Sequence, residues 1–219
     1  MLIAVPVTSL EPLKECKEKG ADLIELRVDL MESPTVDRAL TVLEEAHRLG
    51  LGTILTVRSA REGGRDLPNR LELFEKLSPF SDYTDIELTS LDILPQVRNT
   101  VLSAGKKLII SYHNFERTPA GWILKETIRE ARRWGAHIVK IAVKAESYTD
   151  VARLLCAGSQ EEGEKILIAM GSYGKISRLA AFVFGSVITY AFLGKATAEG
   201  QLPLEEMVRL REIFYGRRS

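Results

Sequence analysis

His137-Ile138-Val139-Lys140-Ile141-Ala142-Val143 is a run of β-branched and apolar residues with one ammonium group in its middle. Its composition predicts a buried strand, because a sheet that is covered on both faces needs strands that are almost continuously apolar. A lysine in such a strand must reach water along its own stem or stay desolvated, and desolvation lowers the pKa of the amine and frees it as a nucleophile. The rest of the chain decides whether a pocket surrounds Lys140.

Short β-rich runs alternate with helix-period runs along the 219-residue chain. We predict strands at residues 2–7, 22–28, 53–58, 83–88, 107–112, 138–143, 165–170 and 187–192. We predict helices near residues 11–19, 35–49, 68–79, 91–104, 118–134, 147–160, 174–182 and 203–215. A glycine follows several of these helices, as a left-handed end residue requires: Gly20, Gly50, Gly105 and Gly135.

This alternation predicts a parallel sheet, and eight repeats predict closure into an α/β fold of the (β/α)8 TIM barrel type. An open doubly wound sheet is the alternative, but such a sheet usually carries a glycine-rich fingerprint after its first strand. Here the first strand runs into Val7-Thr8-Ser9-Leu10, without glycine. No linker-like or low-complexity segment divides the chain, so we expect one catalytic domain over residues 1–219.

The charge balance and the cysteine content indicate which partners and which compartment to expect. Thirty Lys and Arg residues balance thirty Asp and Glu residues, which argues against nucleic acid or an anionic membrane surface as the main partner. The longest apolar run, residues 180–193, is too short and too interrupted to span a membrane. Cys16 and Cys156 lie far apart, and the histidines lack ligand spacing. We therefore expect a cytoplasmic protein with reduced thiols and no metal site.

Polar residues occupy one parity of several predicted strands. Side chains two positions apart point to the same face of a strand, so these groups are predicted to point into the barrel. They are Glu25 and Arg27, Thr56 and Arg58, Asp85 and Glu87, Ser111 and His113, and Lys140. The intervening residues, predicted to face the helices, are Ile24, Leu26, Val57, Ile86, Val139 and Ile141. Most of the polar groups lie toward the carboxyl ends of their strands, where barrel enzymes carry their active sites. A set of structural ion pairs filling a small barrel is the alternative interpretation.

Three loops extend this predicted site. The loop at residues 59–65 carries Glu62 beside paired glycines, and we expect it to be mobile over the barrel mouth. The loop at residues 171–178 follows the seventh strand, where barrels often bind anions, and it ends on Arg178. The polar loop at residues 194–201 is either a lid or an ordinary connection. Elsewhere, Trp122, Trp134 and Phe74 have helical spacing and are predicted to be core residues.

Eight short motifs follow one another on these predicted strands and loops. They are Glu25-Leu26-Arg27, Arg58-Ser59-Ala60-Arg61-Glu62-Gly63-Gly64, Asp85-Ile86-Glu87, Ser111-Tyr112-His113-Asn114-Phe115, Lys140-Ile141-Ala142, Gly174-Lys175-Ile176-Ser177-Arg178, Phe184-Gly185-Ser186 and Gly200-Gln201. By these motifs the chain resembles the type I 3-dehydroquinate dehydratases, which are Schiff-base lyases of the shikimate pathway. The resemblance covers the chain from its first strand to its last loop.

The resemblance implies that 3-dehydroquinate loses water by syn elimination through a lysine imine, without a metal or other cofactor. It makes Lys140 the amine that attacks the C3 ketone, His113 the general acid and base, and Glu62 the group that orients His113. Arg178 would pair with the substrate carboxylate, a bidentate task that suits a guanidinium. The other implied substrate-binding positions are Thr197 and Gln201 in a lid, Glu25, Arg27 and Arg58 around the ring hydroxyls, and Met170 and Tyr190 as apolar walls. The family also implies a homodimer.

Two positions depart from the family pattern. The lid, which usually reads Ser-Ala-Pro-Gly-Gln, is here Thr197-Ala198-Glu199-Gly200-Gln201, so a charged residue replaces proline. Tyr190 stands where phenylalanine is usual and adds a hydroxyl group. Two other functions remain open: a class I Schiff-base aldolase on the same fold, and a barrel that binds a small acid without catalysis. A histidine beside the lysine and an arginine for a carboxylate favour the dehydratase.

Overall fold

Parallel strands alternate with helices in a computed structural model that describes residues 1–196 and 199–216. Its strands are β1 (Leu2–Val7), β2 (Leu23–Arg27), β3 (Gly52–Thr56), β4 (Tyr83–Glu87), β5 (Lys107–Asn114), β6 (Ile138–Lys144), β7 (Lys165–Met170), β8 (Ile188–Phe192) and the two-residue β9 (Leu202–Pro203). Its α-helices are α1 (Leu13–Glu18), α2 (Val36–Arg48), α3 (Arg70–Leu77), α4 (Leu94–Ser103), α5 (Gly121–Arg133), α6 (Tyr148–Ser159), α7 (Ser177–Ala180) and α8 (Leu204–Tyr215).

The strands form one parallel sheet that curls into a barrel. Its order is β7-β6-β5-β4-β3-β2-β1-β8-β9, so β1 pairs with both β2 and β8. The edge of β7 meets the segment before β8 through a bridge between Lys165 and Ser186, and the Val187 amide donates to the Lys165 carbonyl at 2.8 Å. The predicted TIM-barrel fold is confirmed, and the open doubly wound alternative is wrong.

Strand parity divides the apolar core into two layers. The predicted helix-facing residues, Ile24, Leu26, Val57, Ile86, Val139 and Ile141, all belong to one buried cluster between the strands and the helices. A smaller cluster fills the barrel interior and includes Ile54, Ile109, Ile166 and Ile188. These residues close the lower part of the barrel, and the polar interior positions are left for the site.

Local sequence signals locate most element ends. All four glycines predicted to end helices have positive φ, between 66° at Gly105 and 88° at Gly135, a conformation that costs glycine least. The predicted short helix at 174–182 is α7 flanked by the 3-10 helices Ser172–Ile176 and Ala181–Phe184. No described helix combines the length and the apolar character that a membrane crossing needs.

The prediction of three aromatic core residues is only partly correct. Phe74 is fully buried, and Trp134 packs partly buried against the outer core. The prediction is wrong for Trp122, which lies in the first turn of α5 with 71% of its surface exposed. Helical spacing alone did not distinguish the buried face of α5, which carries Leu124, Ile128 and Ala131.

Candidate active site

Lys140 lies inside the barrel, on the same face of β6 as Ile138 and Ala142 and opposite to the helix-facing residues of that strand. Its side chain is 5% exposed, and Nζ donates to Asp85 Oδ2 at 2.8 Å, to the Tyr190 hydroxyl at 3.2 Å and to Glu25 Oε1 at 3.4 Å. Burial alone lowers the pKa of Lys140, but the carboxylates of Asp85 and Glu25 outweigh it, and the net effect raises the pKa. The expectation of a lowered pKa is therefore wrong for this arrangement. Lys140 is an ammonium that must give up a proton before it can attack a carbonyl.

A network of buried charges surrounds this lysine. Arg58, 3% exposed, donates to both carboxylate oxygens of Asp85 at 3.1 and 2.9 Å, to Glu87 Oε1 at 2.9 Å and to Ser111 Oγ at 2.8 Å. Arg70 donates to the other oxygen of Glu87. Burial opposes ionisation of Asp85 and Glu87, but Arg58 together with Lys140 at Asp85 and with Arg70 at Glu87 outweighs it, and the pKa of each carboxyl is lowered. Each charged group of this network thus has a partner of opposite sign, as burial requires.

His113 lies near the carboxyl end of β5. Its strand register places Ser111 opposite Lys140 and His113 opposite Ala142, so the imidazole belongs to the interior layer above the amine. His113 Nδ1 lies 2.8 Å from Glu62 Oε2, which also accepts the His113 backbone amide at 3.1 Å. Burial, together with the charges of Arg58 and Lys140, lowers the pKa of His113 well below its ordinary value. The ring is therefore neutral, and a proton on Nδ1 leaves the Nε2 lone pair available as a base.

Glu62 is held from both oxygens. One oxygen accepts from His113, and the Thr89 hydroxyl donates to the other. Burial raises the pKa of Glu62 to about 7 against the effect of these hydrogen bonds. The Phe115 ring stacks on the imidazole at a centroid distance of 6.1 Å and an interplanar angle of 11°. Glu62 and Phe115 together fix the tilt of the His113 ring.

Arg178 lines the same pocket and has two guanidinium nitrogens without a hydrogen-bond partner among the described residues. It is 2% exposed on α7, and these two nitrogens are Nε and Nη2. Burial lowers its pKa to about 10. The Ser177 hydroxyl fixes the start of α7 by donating to the Gly174 carbonyl at 2.7 Å. Buried donors without acceptors are costly, so this guanidinium is suited to a bound anion.

One pocket brings together every predicted site residue that the structure describes. Its lining includes Glu25, Arg27, Arg58, Glu62, His113, Lys140, Met170, Arg178, Tyr190 and Gln201. Thr197 lies outside the described residues. In the same loop, Glu199 is exposed and its carbonyl accepts the Gly171 amide at 3.4 Å, so the backbone of this loop contacts the loop after β7.

Sequence reasoning missed three participants. Asp85 was predicted only to face the barrel interior, yet it is the carboxylate nearest to Lys140. Thr89 follows β4 and holds Glu62, and no local pattern marks it. Phe115 lies within one of the quoted motifs, and its position two residues after His113 was the sequence feature that could have indicated the stacking of the two rings. Among the described residues, no group of three histidine, cysteine or acidic side chains is arranged to hold a metal ion.

Comparisons with known proteins agree with this geometry. A family model described as Type I 3-dehydroquinase matches residues 4–218. The 3-dehydroquinate dehydratase of Aquifex aeolicus is 62% identical over 98% of this chain and 99% of its own, and that of Hydrogenobaculum sp. is 52% identical over 98% and 99%. The crystal structure of the Aquifex enzyme superposes with a TM-score of 0.94 over 98% of this chain and 99% of its own. That of 3-dehydroquinate dehydratase from Geobacillus kaustophilus, 30% identical, gives 0.89 over 99% and 92%.

Proposed function

The chain belongs to the type I 3-dehydroquinase family, and we propose that it dehydrates 3-dehydroquinate to 3-dehydroshikimate through an imine on Lys140. It is a lyase of the shikimate pathway that acts on this small molecule. The observation that carries the proposed mechanism is the convergence on one pocket of Lys140, the His113–Glu62 pair and Arg178, whose Nε and Nη2 atoms have no partner among the described residues.

The first chemical step joins Lys140 to the substrate. Lys140 first passes a proton to Nε2 of the neutral His113 ring, and its lone pair then bonds to C3 as the carbonyl π electrons move to oxygen. That oxygen takes one proton from His113 and one from the attached nitrogen and leaves as water, and the nitrogen keeps a protonated double bond to C3. The carboxylates of Asp85 and Glu25 beside Nζ stabilise the cationic forms of this nitrogen before and after the attack.

The second step is the elimination. A C–H bond next to a ketone is too weak an acid for imidazole, but a protonated imine accepts the electrons far better. Neutral His113 takes the proton from C2, the electrons move into the imine, and their return expels the C1 hydroxyl, which His113 protonates. Hydrolysis of the product imine restores Lys140. A depressed His113 pKa supports this role, because the ring must start without its second proton.

Substrate binding uses the remaining pocket residues. Arg178 pairs with the carboxylate, which supplies the acceptors that its Nε and Nη2 atoms lack. Glu25, Arg27 and Arg58 hold the ring hydroxyls, and Met170 forms an apolar wall. Gln201, together with Thr197 outside the described residues, closes over the carboxylate.

Both alternative functions explain this pocket less well. A Schiff-base aldolase shares the lysine, but the carboxylate-holding arginine and the histidine next to the amine suit loss of a hydroxyl group better. A binding protein without catalysis has no use for a neutral imidazole held by a carboxylate beside a buried amine. Covalent trapping of the substrate on Lys140 and turnover of 3-dehydroquinate distinguish the dehydratase from both alternatives.

Borohydride reduction tests the imine directly. We expect that incubation of the protein with 3-dehydroquinate and borohydride produces a covalent adduct, which intact-mass and peptide mass spectrometry locate on Lys140. Lys140→Met should give no adduct and no turnover. Lys144→Met, on the same strand but 42% exposed, is the matched control and should be trapped like the parent protein. Consumption of 3-dehydroquinate with no adduct on any lysine would exclude the mechanism.

The proposal extends to the state of the whole protein. Residues 1–219 act as one catalytic domain, and two copies form a homodimer through the exposed apolar residues of the 3-10 helix Ala181–Phe184 and of α8. Val183 is 74% exposed, and Phe214 is 63% exposed. Both cysteines are free thiols, which supports the cytoplasm, a reducing compartment, as its location; cell fractionation measures that location.

A further inference from the structure

Tyr190 brings a hydroxyl group to the reacting nitrogen. It lies in the middle of β8, 3% exposed, on the interior face of the barrel. Its hydroxyl oxygen is 3.2 Å from Lys140 Nζ, and its ring centroid is 4.5 Å from the same atom. Lys140 therefore contacts the polar end of this ring. An apolar wall explains the aromatic ring of Tyr190 but not the position of its hydroxyl.

The three groups around Lys140 Nζ differ in what they can donate. Asp85 and Glu25 are carboxylates, which only accept hydrogen bonds when ionised, whereas the Tyr190 hydroxyl both accepts and donates. Its oxygen accepts from the ammonium, and no described residue accepts the hydrogen of that hydroxyl. Tyr190 is thus the neighbour of the nucleophile that has a donor to offer to a substrate.

The chemistry of imine formation places an oxygen atom next to this donor. When Lys140 attacks, the substrate C3 atom is bonded to both Nζ and the ketone oxygen. Two atoms bonded to one tetrahedral carbon are about 2.4 Å apart, so a hydroxyl in contact with Nζ is within reach of that oxygen. The oxygen develops negative charge during the attack, and a placed donor stabilises such charge more than it stabilises the starting ketone.

We propose that the Tyr190 hydroxyl is a catalytic residue that donates a hydrogen bond to the C3 oxygen of the substrate while Lys140 forms the imine. This role rests on the proposed function and adds to it a second hydrogen-bond donor to the C3 oxygen beside His113. Tyr190 transfers no proton: it keeps its hydrogen, and the oxygen leaves as water with protons from the amine and from His113. The same contact operates in reverse when water attacks the product imine.

The ionisation state of the phenol agrees with a donor. Burial raises the pKa of Tyr190, and the nearby charges of Asp85 and Glu25 add to this effect against the opposing ammonium. The hydroxyl therefore keeps its hydrogen across the pH range in which the protein is folded and active. A phenolate could accept from Lys140 but would repel the developing oxyanion.

Tyr190→Phe tests the proposal, because it deletes one oxygen atom and restores the ring that is usual in the family. In single-turnover mixing with rapid borohydride quench, imine formation should slow about tenfold in Tyr190→Phe, less than the 10²–10³ of a sole oxyanion donor because His113 remains. With substrate deuterated at C2, the isotope effect on kcat/KM should fall toward one, because the imine then reverts more slowly than it eliminates.

A second variant separates this role from packing. Tyr83→Phe also deletes a tyrosine hydroxyl, from a ring that packs against the same interior cluster as Tyr190 but does not line the pocket, and it should leave both the imine rate and the isotope effect unchanged. The proposal is overturned if Tyr190→Phe forms the imine at the parent rate, or if Tyr83→Phe slows it as much. A parent protein that forms no imine would instead overturn the proposed function itself.

Discussion

Glu62 holds His113 through a single carboxylate oxygen, so the protonation of Glu62 controls the orientation of that imidazole. Ionised Glu62 accepts from His113 Nδ1 and from the His113 amide at the same oxygen. A proton on Glu62 would compete for these positions and allow the ring to turn. The pKa of about 7 places this change in the neutral range, whereas the pKa of His113 itself is far lower.

We therefore expect kcat/KM to fall tenfold per pH unit on the acid side of an ionisation near pH 7, because a carboxylate with a raised pKa takes up its proton as the pH falls through that value. Steady-state rates between pH 5 and 9 measure this limb. Glu62→Gln should be much slower at every pH and should lack the limb. Retention of a limb near pH 7 in Glu62→Gln would assign it to another group.

Lys140 illustrates what a sequence can and cannot predict about one residue. A lysine in an apolar strand is visible in the sequence, and so is its interior parity. The direction of its pKa shift is not visible, because it depends on how close Asp85 and Glu25 come across the barrel. Two carboxylates within 3.4 Å reverse the effect that burial alone would have. The sequence therefore predicted that Lys140 is buried inside the barrel, but the predicted direction of its pKa shift was wrong.

At the scale of elements, the turn after β3 sets the position of Glu62. The Ser59 carbonyl accepts from the Glu62 amide at 3.0 Å and from the Gly64 amide at 2.9 Å. A Cβ atom at Gly64 would lie 2.1 Å from the Arg58 carbonyl oxygen. The paired glycines, which predicted a mobile loop, thus serve a tight turn in which the chain contacts its own backbone.

Gly64→Ala should displace the turn and with it Glu62. We expect kcat to fall about 100-fold, since shifts of about 1 Å in a catalytic geometry cost this much, while circular dichroism shows a folded barrel. The matched control is Gly105→Ala, which also replaces a glycine of the described chain but at φ +66° with no atom within 4 Å of the added Cβ. That variant should lose some stability and keep its kcat, and an unchanged kcat in Gly64→Ala would contradict the role of the turn.

The prediction of strands and helices was correct where the pattern of apolar residues along the sequence marks the element. All eight predicted strands exist, and β1 and β7 have the predicted bounds, because strands covered on both faces leave a long apolar signal. The two-residue β9 was missed, since it depends on pairing with Ala191 and Phe192 and not on its own pattern. The contact between Thr89 and Glu62 was missed for the same reason, because it joins residues that are 27 positions apart in the sequence.

At the scale of the whole molecule, barrel closure is what turns scattered residues into a site. Side chains of one parity from different strands meet inside a closed barrel, whereas an open sheet would spread them along one face. Alternation and strand number therefore predicted the convergence before any contact was known. The exposure of surface residues could not be predicted in this way, because it depends on which helix faces lack a covering layer.

Apolar exposure on one face supports our prediction of a homodimer. Phe182 packs edge to face on Tyr215 at 4.8 Å, which joins the 3-10 helix Ala181–Phe184 to the end of α8. Val183, Ile213 and Phe214 are 74%, 63% and 63% exposed beside this contact. Large exposed apolar side chains on two elements that contact each other are typical of protein interfaces.

Light scattering should give twice the mass of the 24.4 kDa chain for the parent protein. A double variant, Val183→Glu with Phe214→Glu, should give the mass of one chain, because two carboxylates on each copy would be desolvated against the same face of the other. Trp122→Glu is the matched control: this residue is equally exposed but lies on α5, separated from α8 by α6 and α7, and the variant should remain dimeric. A parent protein with the mass of one chain would contradict the dimer, and a dimeric double variant would contradict this face as its interface.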